Sequence, residues 1–288
     1  MEDWIAFAFG SAVFAALTSI FAKIGIKDVN SNLATALRTV VVLAMAWLMV
    51  LIVGSWDGIG DISAKTLVFL VLSGLATGAS WLCYFRAVQI GDVNKVAPID
   101  KSSTILTMIL AFIFLGESFS FWAGIGMAVM FAGTMLMIEK KDVDASKRTR
   151  DSWLIWAVLS AVFAALTSIL GKVGIEGVES NLGTAIRTCV VLAMAWLIVF
   201  MQGTQKQIGS ISRRSGSFLV LSGLATGASW LCFYKALQDG PASLVVPIDK
   251  LSILFTVLFA TAFLHEKMSA RSWIGLAMLT AGTLMLLI

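Results

Sequence analysis

Long apolar runs separated by short polar connections fill the chain, and their lengths set the first expectation. A helix needs about 20 apolar residues to cross the hydrocarbon core of a bilayer. Ten stretches approach that length: residues 4–26, 32–53, 66–88, 93–115 and 121–138, then 153–175, 181–201, 216–237, 242–264 and 273–288. The pattern predicts an all-α membrane protein with ten transmembrane helices. One longer polar stretch, residues 139–152, carries Lys140, Lys141, Lys147, Arg148 and Arg150. It divides the chain into a first five-helix repeat (1–138), a basic linker (139–152) and a second five-helix repeat (153–288).

The two halves are copies. SAVFAALTSI at 11–20 recurs at 160–169, LSGLATGASWLC at 72–83 recurs at 221–232, and PIDK at 98–101 recurs at 247–250, each 149 residues later. A unit with an odd number of spans enters the membrane in opposite senses in its two copies. The expected plan is therefore two inverted five-helix repeats, the arrangement of many secondary transporters.

Composition agrees. The chain is 59% hydrophobic and 13% charged, with mean hydropathy +0.92; soluble proteins carry about 25% charged residues. This leaves no room for a separate soluble domain. The net charge of +4 is spread over short loops, so no nucleic-acid partner is expected. Cys83, Cys189 and Cys232 all fall within apolar runs and offer neither a disulfide framework nor metal spacing. No metal or cofactor is expected. Met1-Glu2-Asp3-Trp4 lacks the basic region of a cleavable signal, so the first span is expected to be retained.

Loop charge gives an orientation. Of 21 Lys and Arg, 14 lie on the linker's side, three (Lys65, Lys172, Lys235) on the other, and four within spans. The positive-inside rule then predicts a cytoplasmic linker and both termini outside, in the plasma (inner) membrane. Aligned loops diverge in the same sense. Lys206, Arg213 and Arg214 stand where the first copy has only Lys65, whereas Lys27 and Lys95 face Glu176 and Leu244.

The chain resembles the EamA family of the drug/metabolite transporter superfamily over essentially its whole length. The likeness rests on the five-plus-five spans and an Ala…Pro stretch into each fourth span (Ala87…Pro98, Ala236…Pro247). It rests also on a Glu closing that span, followed by glycines: Glu117, Gly126 and Gly133, then Glu266, Gly275 and Gly282. The resemblance implies a bundle whose first four helices per half surround a central cavity, and export of amino acids or other small metabolites. Members of this layout usually keep both termini in the cytoplasm, opposite to the loop charges here.

Ionisable residues inside spans cost about 2.5–3.5 kcal/mol each on insertion scales and usually face a cavity or a partner. Six recur in pairs: Arg38 and Arg187, Asp100 and Asp249, Lys101 and Lys250. Arg38 and Asp100 share a depth of about 10 Å on the linker's side, and inversion places Arg187 and Asp249 at the matching depth on the other. The expectation is that Arg38 with Asp100 closes an inner gate and Arg187 with Asp249 an outer one; the alternative is permanent structural ion pairs. Four positive and two negative groups favour an anionic or zwitterionic solute held by an Arg fork. Asp100 and Asp249 are the candidate proton carriers. Pro98 and Pro247 are expected to loosen the helix just before each acid.

Trp81, Tyr84, Trp230 and Tyr234 either line the pocket or anchor span ends at the interface. Asn32 and Asn181 bind solute or cap their helices. Gly74 and Gly78, with Gly223 and Gly227, are read as packing positions, and Glu117 and Glu266 as structural. An enzyme is not expected. The only histidine is His265, and Gly60-Asp61 has Ser210 in place of a second carboxylate, so metal, triad and paired-acid chemistry lack material. The function expected is a secondary transporter of small polar metabolites, amino-acid-like or organic-anion solutes, working by alternating access in the direction of export. Its partners are a small-molecule substrate, the lipid bilayer and a counter-transported proton or solute, with a homodimer as an option. The alternatives are a small cationic drug exporter, disfavoured by first spans without an acid, and a non-transporting scaffold or receptor.

Overall fold

The computed structural model describes residues 3–25, 29–90, 96, 99–137, 152–264 and 269–286. Residues 139–151 of the basic linker (139–152), with Lys27, Lys95, Pro98, His265, Glu266 and Lys267, lie outside the described residues.

Eleven α-helices and no strand occur among the described residues. In the first half these are α1 (Asp3–Gly25), α2 (Ser31–Val53), α3 (Ala64–Ile90), α4 (Ser103–Phe114) and α5 (Phe121–Met137). The second half holds α6 (Ser152–Ile175), α7 (Ser180–Gln202), α8 (Arg213–Asp239), α9 (Ala242–Lys250), α10 (Ser252–Leu264) and α11 (Ala270–Met285). Seven segments are long and apolar enough to cross a membrane by length and composition, the seventh running from Ala242 to Phe259 across α9 and α10. The sequence spacing predicted ten. The shortfall comes from short fifth spans, α5 and α11, and from the first-half fourth span, only part of which is described.

Helix starts and stops follow local chemistry. Asn30 caps α2, its side chain accepting from the backbone N–H of Asn32 (2.9 Å) and Leu33 (3.3 Å). At the matching position Glu179 caps α7 through Leu182 N (3.0 Å). The capping expected of Asn32 and Asn181 thus belongs two residues earlier. Asn32 instead donates to Gln202, and Asn181 to the capping carboxylate of Glu179. Both second spans end at a glycine in the left-handed region, Gly54 (φ 74°) and Gly203 (φ 66°), which a side chain would strain.

The fourth spans are broken, though one turn later than expected. Helix α9 runs through Pro247 and stops at Lys250; Leu251 N turns back to Ile248 O (2.9 Å), and α10 restarts at Ser252. Ser102 makes the equivalent turn to Ile99 O in the first half. The proline deletes one backbone bond, and the interruption appears just after Asp-Lys rather than before it.

Packing interleaves the halves. Helix α1 lies along α8 and α3 along α6, while α2 meets α7 and α5 meets α11. Matching helices run antiparallel. Gly126 lies against Gly282 and Gly133 against Gly275, with a Cβ built on Gly133 falling 2.6 Å from the Gly275 carbonyl oxygen. Along α2 and α7, Ala46 and Val50 cluster with Leu182 and Ala185, whereas Leu33 and Ala36 cluster with Ala195 and Val199. Lipid gives little hydrophobic drive for helix association, so close contact through small residues carries more of the load. Gly74 and Gly78 confirm this role, closing on Val190 and Met194 of α7, as Gly223 and Gly227 close on Val41 and Met45 of α2.

Candidate functional site

Between the halves lies a cavity of about 330 Å³, lined from both by α1, α3, α6, α7, α8 and α9. Six of the ten residues singled out from sequence border it: Trp81, Arg187, Trp230, Tyr234, Asp249 and Lys250. Arg38, Tyr84, Asp100 and Lys101 do not. Tyr84 packs beside Ala87, Val96 and Ala157, and Lys101 lies across a separate small void from Lys250.

Arg187 forms the most elaborate feature of the cavity wall. It is 2% exposed. Its Nε donates to Ser73 Oγ (3.0 Å) and its Nη2 to Thr77 Oγ1 (2.6 Å), both on α3 of the other half. The guanidinium carbon stands 5.2 Å from the Trp230 ring centroid and 4.8 Å from that of Tyr234, within cation–π range. Nη1, also buried, has no protein partner. Asp249 accepts from Ser11 Oγ (2.6 Å), and Ser11 touches Ser229. Lys250 approaches Asp249 at 3.8 Å.

The first half repeats the scheme in a looser form. Arg38 Nη1 donates to Ser222 (3.2 Å) and Asp100 accepts from Ser160 (2.8 Å), the counterparts of Ser73 and Ser11. Direct Arg38–Asp100 and Arg187–Asp249 ion pairs, expected as gates, are not formed among the described residues. Each guanidinium reaches a hydroxyl of the opposite half's third span, and each carboxylate a serine of the opposite half's first span. The signal for these hydroxyls was present in the sequence: Ser11, Ser73, Thr77 and their copies sit unchanged in otherwise apolar blocks.

The two ends differ. At the Arg187 end, Gln238 Nε2 bridges the carbonyls of Ile175 (2.8 Å) and Val178 (2.7 Å), and Lys172 donates to Gly240 O (2.9 Å). Gln89, the counterpart of Gln238, accepts instead from exposed Arg86. Ser180 and Thr184 are buried where Ser31 is exposed and Thr35 half-buried. Glu117 reaches from the first half to cap α9, accepting from Ala242 N (2.7 Å) and Ser243 N (2.8 Å). A carboxylate at a helix N-terminus satisfies orphan donors and complements the helix dipole, so Glu117 has a structural part here.

Comparison with known proteins agrees with this architecture. An uncharacterized transporter of a Sinorhizobium species is 47% identical over 135 residues, covering 47% of this chain and 96% of that protein. Mouse solute carrier family 35 member G1 is 27% identical over 263 residues, 88% of this chain and 69% of that protein. An uncharacterized transporter of Archaeoglobus fulgidus is 22% identical over 279 residues, 96% and 95% of the two chains. A solved crystal structure superposes with a TM-score of 0.76 at 16% identity, over 99% of this chain and 96% of that one, a likeness of fold. Residues 3–139 and 151–288 each match the EamA-like transporter family. With its apolar helices and this match over nearly its whole length, the chain is a multi-pass membrane protein that belongs to the EamA-like transporter family.

Proposed function

We propose that the chain is a secondary transporter that carries small polar metabolites, amino-acid-like or organic-anion solutes, out across the plasma membrane by alternating access. In this reading ten spans form two inverted five-span repeats (1–138 and 153–288) joined by a cytoplasmic linker. Antiparallel pairing of matching helices supports the inversion, because copies related by an axis along the membrane normal meet with parallel helices. Small-residue contacts at α5 and α11 hold such an antiparallel pair close.

The observation that carries the reading is one cavity between two like ends held differently. Gln238, Lys172, Glu117 and the buried Arg187–Tyr234 cluster seal one end, while at the other Gln89 pairs with exposed Arg86, and Ser31 and Thr35 are more exposed than Ser180 and Thr184. Two repeats of like sequence and fold can exchange these conformations, which closes the Arg38 end and opens the Arg187 end around a fixed central site. Arg38 with Asp100 and Arg187 with Asp249 then mark the inner and outer gates, each working through hydroxyls of the opposite repeat. Asp100 and Asp249 are the proton carriers of this scheme: each sits within a span, where ionisable groups usually serve ion pathways, and accepts from a serine of the opposite repeat.

Flux into proteoliposomes, across a panel of amino acids, organic acids and amines with and without a pH gradient, tests the proposal. Saturable movement of an anionic or zwitterionic solute is expected. Uptake no greater than into protein-free liposomes for the whole panel overturns it.

A further inference from the structure

The charges around the cavity do not balance. Asp249 and Lys250 lie 3.8 Å apart and offset one another, and Asp249 is further occupied by Ser11. Arg187 remains. Its partners are two hydroxyls and two aromatic faces, none of which carries a formal negative charge. Nη1 is buried and unpaired on a side chain that lines the cavity. A buried charge without a counter-ion is costly, and removing one partner of a buried pair is strongly destabilising. The rest of the guanidinium is fixed by hydrogen bonds and ring stacking, which leaves one donor edge pre-positioned.

We propose that the counter-ion is the solute, and that Arg187 anchors a single carboxylate through its free edge. The solute class is then a monocarboxylate anion with an apolar body, a refinement that rests on the transport reading above. One carboxylate brings the cavity to neutrality. A second carboxylate leaves a surplus negative charge in a low-dielectric site. An ammonium finds no free acid, because Asp249 is already held by Lys250 and Ser11. Trp81, Trp230, Phe233, Ala15 and Ala164 supply the apolar wall. The cavity of about 330 Å³ equals about eleven water volumes of about 30 Å³, room for a ring with a short acid arm.

Four probes sharing a phenyl ring separate the possibilities: 3-phenylpropionate (one negative charge), phenylalanine (zwitterion), phenethylamine (cation) and phenylsuccinate (two negative charges). Equilibrium binding to the full chain in nanodiscs and flux into proteoliposomes are read side by side. 3-Phenylpropionate binds tightest of the four. Arg187→Gln weakens it by about tenfold to a hundredfold, the range of a charge-assisted hydrogen bond, and brings the anion and the amine closer together. Arg187→Lys retains part of the preference and serves if the Gln variant does not fold. The order of the four probes on the unaltered chain needs no variant at all. Equal or tighter binding of phenylalanine, phenethylamine or phenylsuccinate overturns the anchor and leaves transport standing. Binding of 3-phenylpropionate without flux of any solute overturns transport and leaves the anchor standing.

Discussion

Gly171 of α6 lies at the sealed end against Tyr234 and Ser73, and adding one methyl group there tests how that end is held. A Cβ on Gly171 falls 2.9 Å from the Tyr234 ring and 3.2 Å from Ser73 Oγ. Neither can retreat cheaply, because the ring covers Arg187 and the hydroxyl receives its Nε. The matching residue at the looser end is Ala22, which already accommodates a methyl group. Overpacking by a methyl group costs typically about 1–3 kcal/mol. Alanine also favours a helix by about 1 kcal/mol over glycine, but α6 is helical in both states of the exchange, so that gain cancels. The fraction open at the Arg187 end therefore rises in Gly171→Ala by about fivefold to a hundredfold or more. The assay is labelling of Thr184→Cys, a fully buried position at that end, by a membrane-impermeant maleimide after replacing Cys83, Cys189 and Cys232. Its rate follows the open fraction when closing outpaces labelling. An unchanged rate in correctly folded Gly171→Ala refutes the argument that packing at Tyr234 seals this end.

Glu117→Ala removes the carboxylate that accepts from Ala242 and Ser243; loss of a cap costs about 0.5–2 kcal/mol, read as a lower melting temperature in detergent. Gly133→Leu places a side chain against the Gly275 backbone, and size-exclusion chromatography is expected to show loss of the monodisperse protein, whereas the exposed Gly60→Leu is tolerated. At Glu179 burial raises the carboxyl, but hydrogen bonds from the backbone at Asn181 and Leu182 and from Ser180 outweigh it and hold the group below its ordinary value of 4.5. The stability this contributes is complete above pH 4.5 and disappears as pH falls through the lower folded value. Thermal unfolding of Glu179→Gln therefore loses less stability on acidification than the parent protein, and parallel curves contradict it.

The long spans were legible because apolar length alone defines them. Helices α1, α2, α6 and α7 begin and end within two residues of the expected bounds. Helix breaks were less legible. Pro247 announces a defect, but its position one turn downstream depends on how Leu251 turns back to Ile248. In the site, charge singled out Arg187, Asp249 and Lys250, yet residue type alone could not say what each would touch. The arginines reach serines and threonines because the halves interleave, which brings α3 against α7 and α8 against α2. Tyr84 and Tyr234 carry the same side chain but occupy different places. Tyr234 aligns with Phe85 rather than with Tyr84, and only Tyr234 lies against an arginine on the cavity wall.

Gly60 and Gly209 are matching residues in two exposed turns, with open space around each, and they offer the most direct test of the two-repeat architecture. With the native cysteines replaced, Gly60→Cys and Gly209→Cys are labelled one at a time with an impermeant thiol reagent in sealed vesicles of one orientation. The account predicts that one is reached only from outside and the other only after the membrane is opened. Labelling of both from the same side contradicts it.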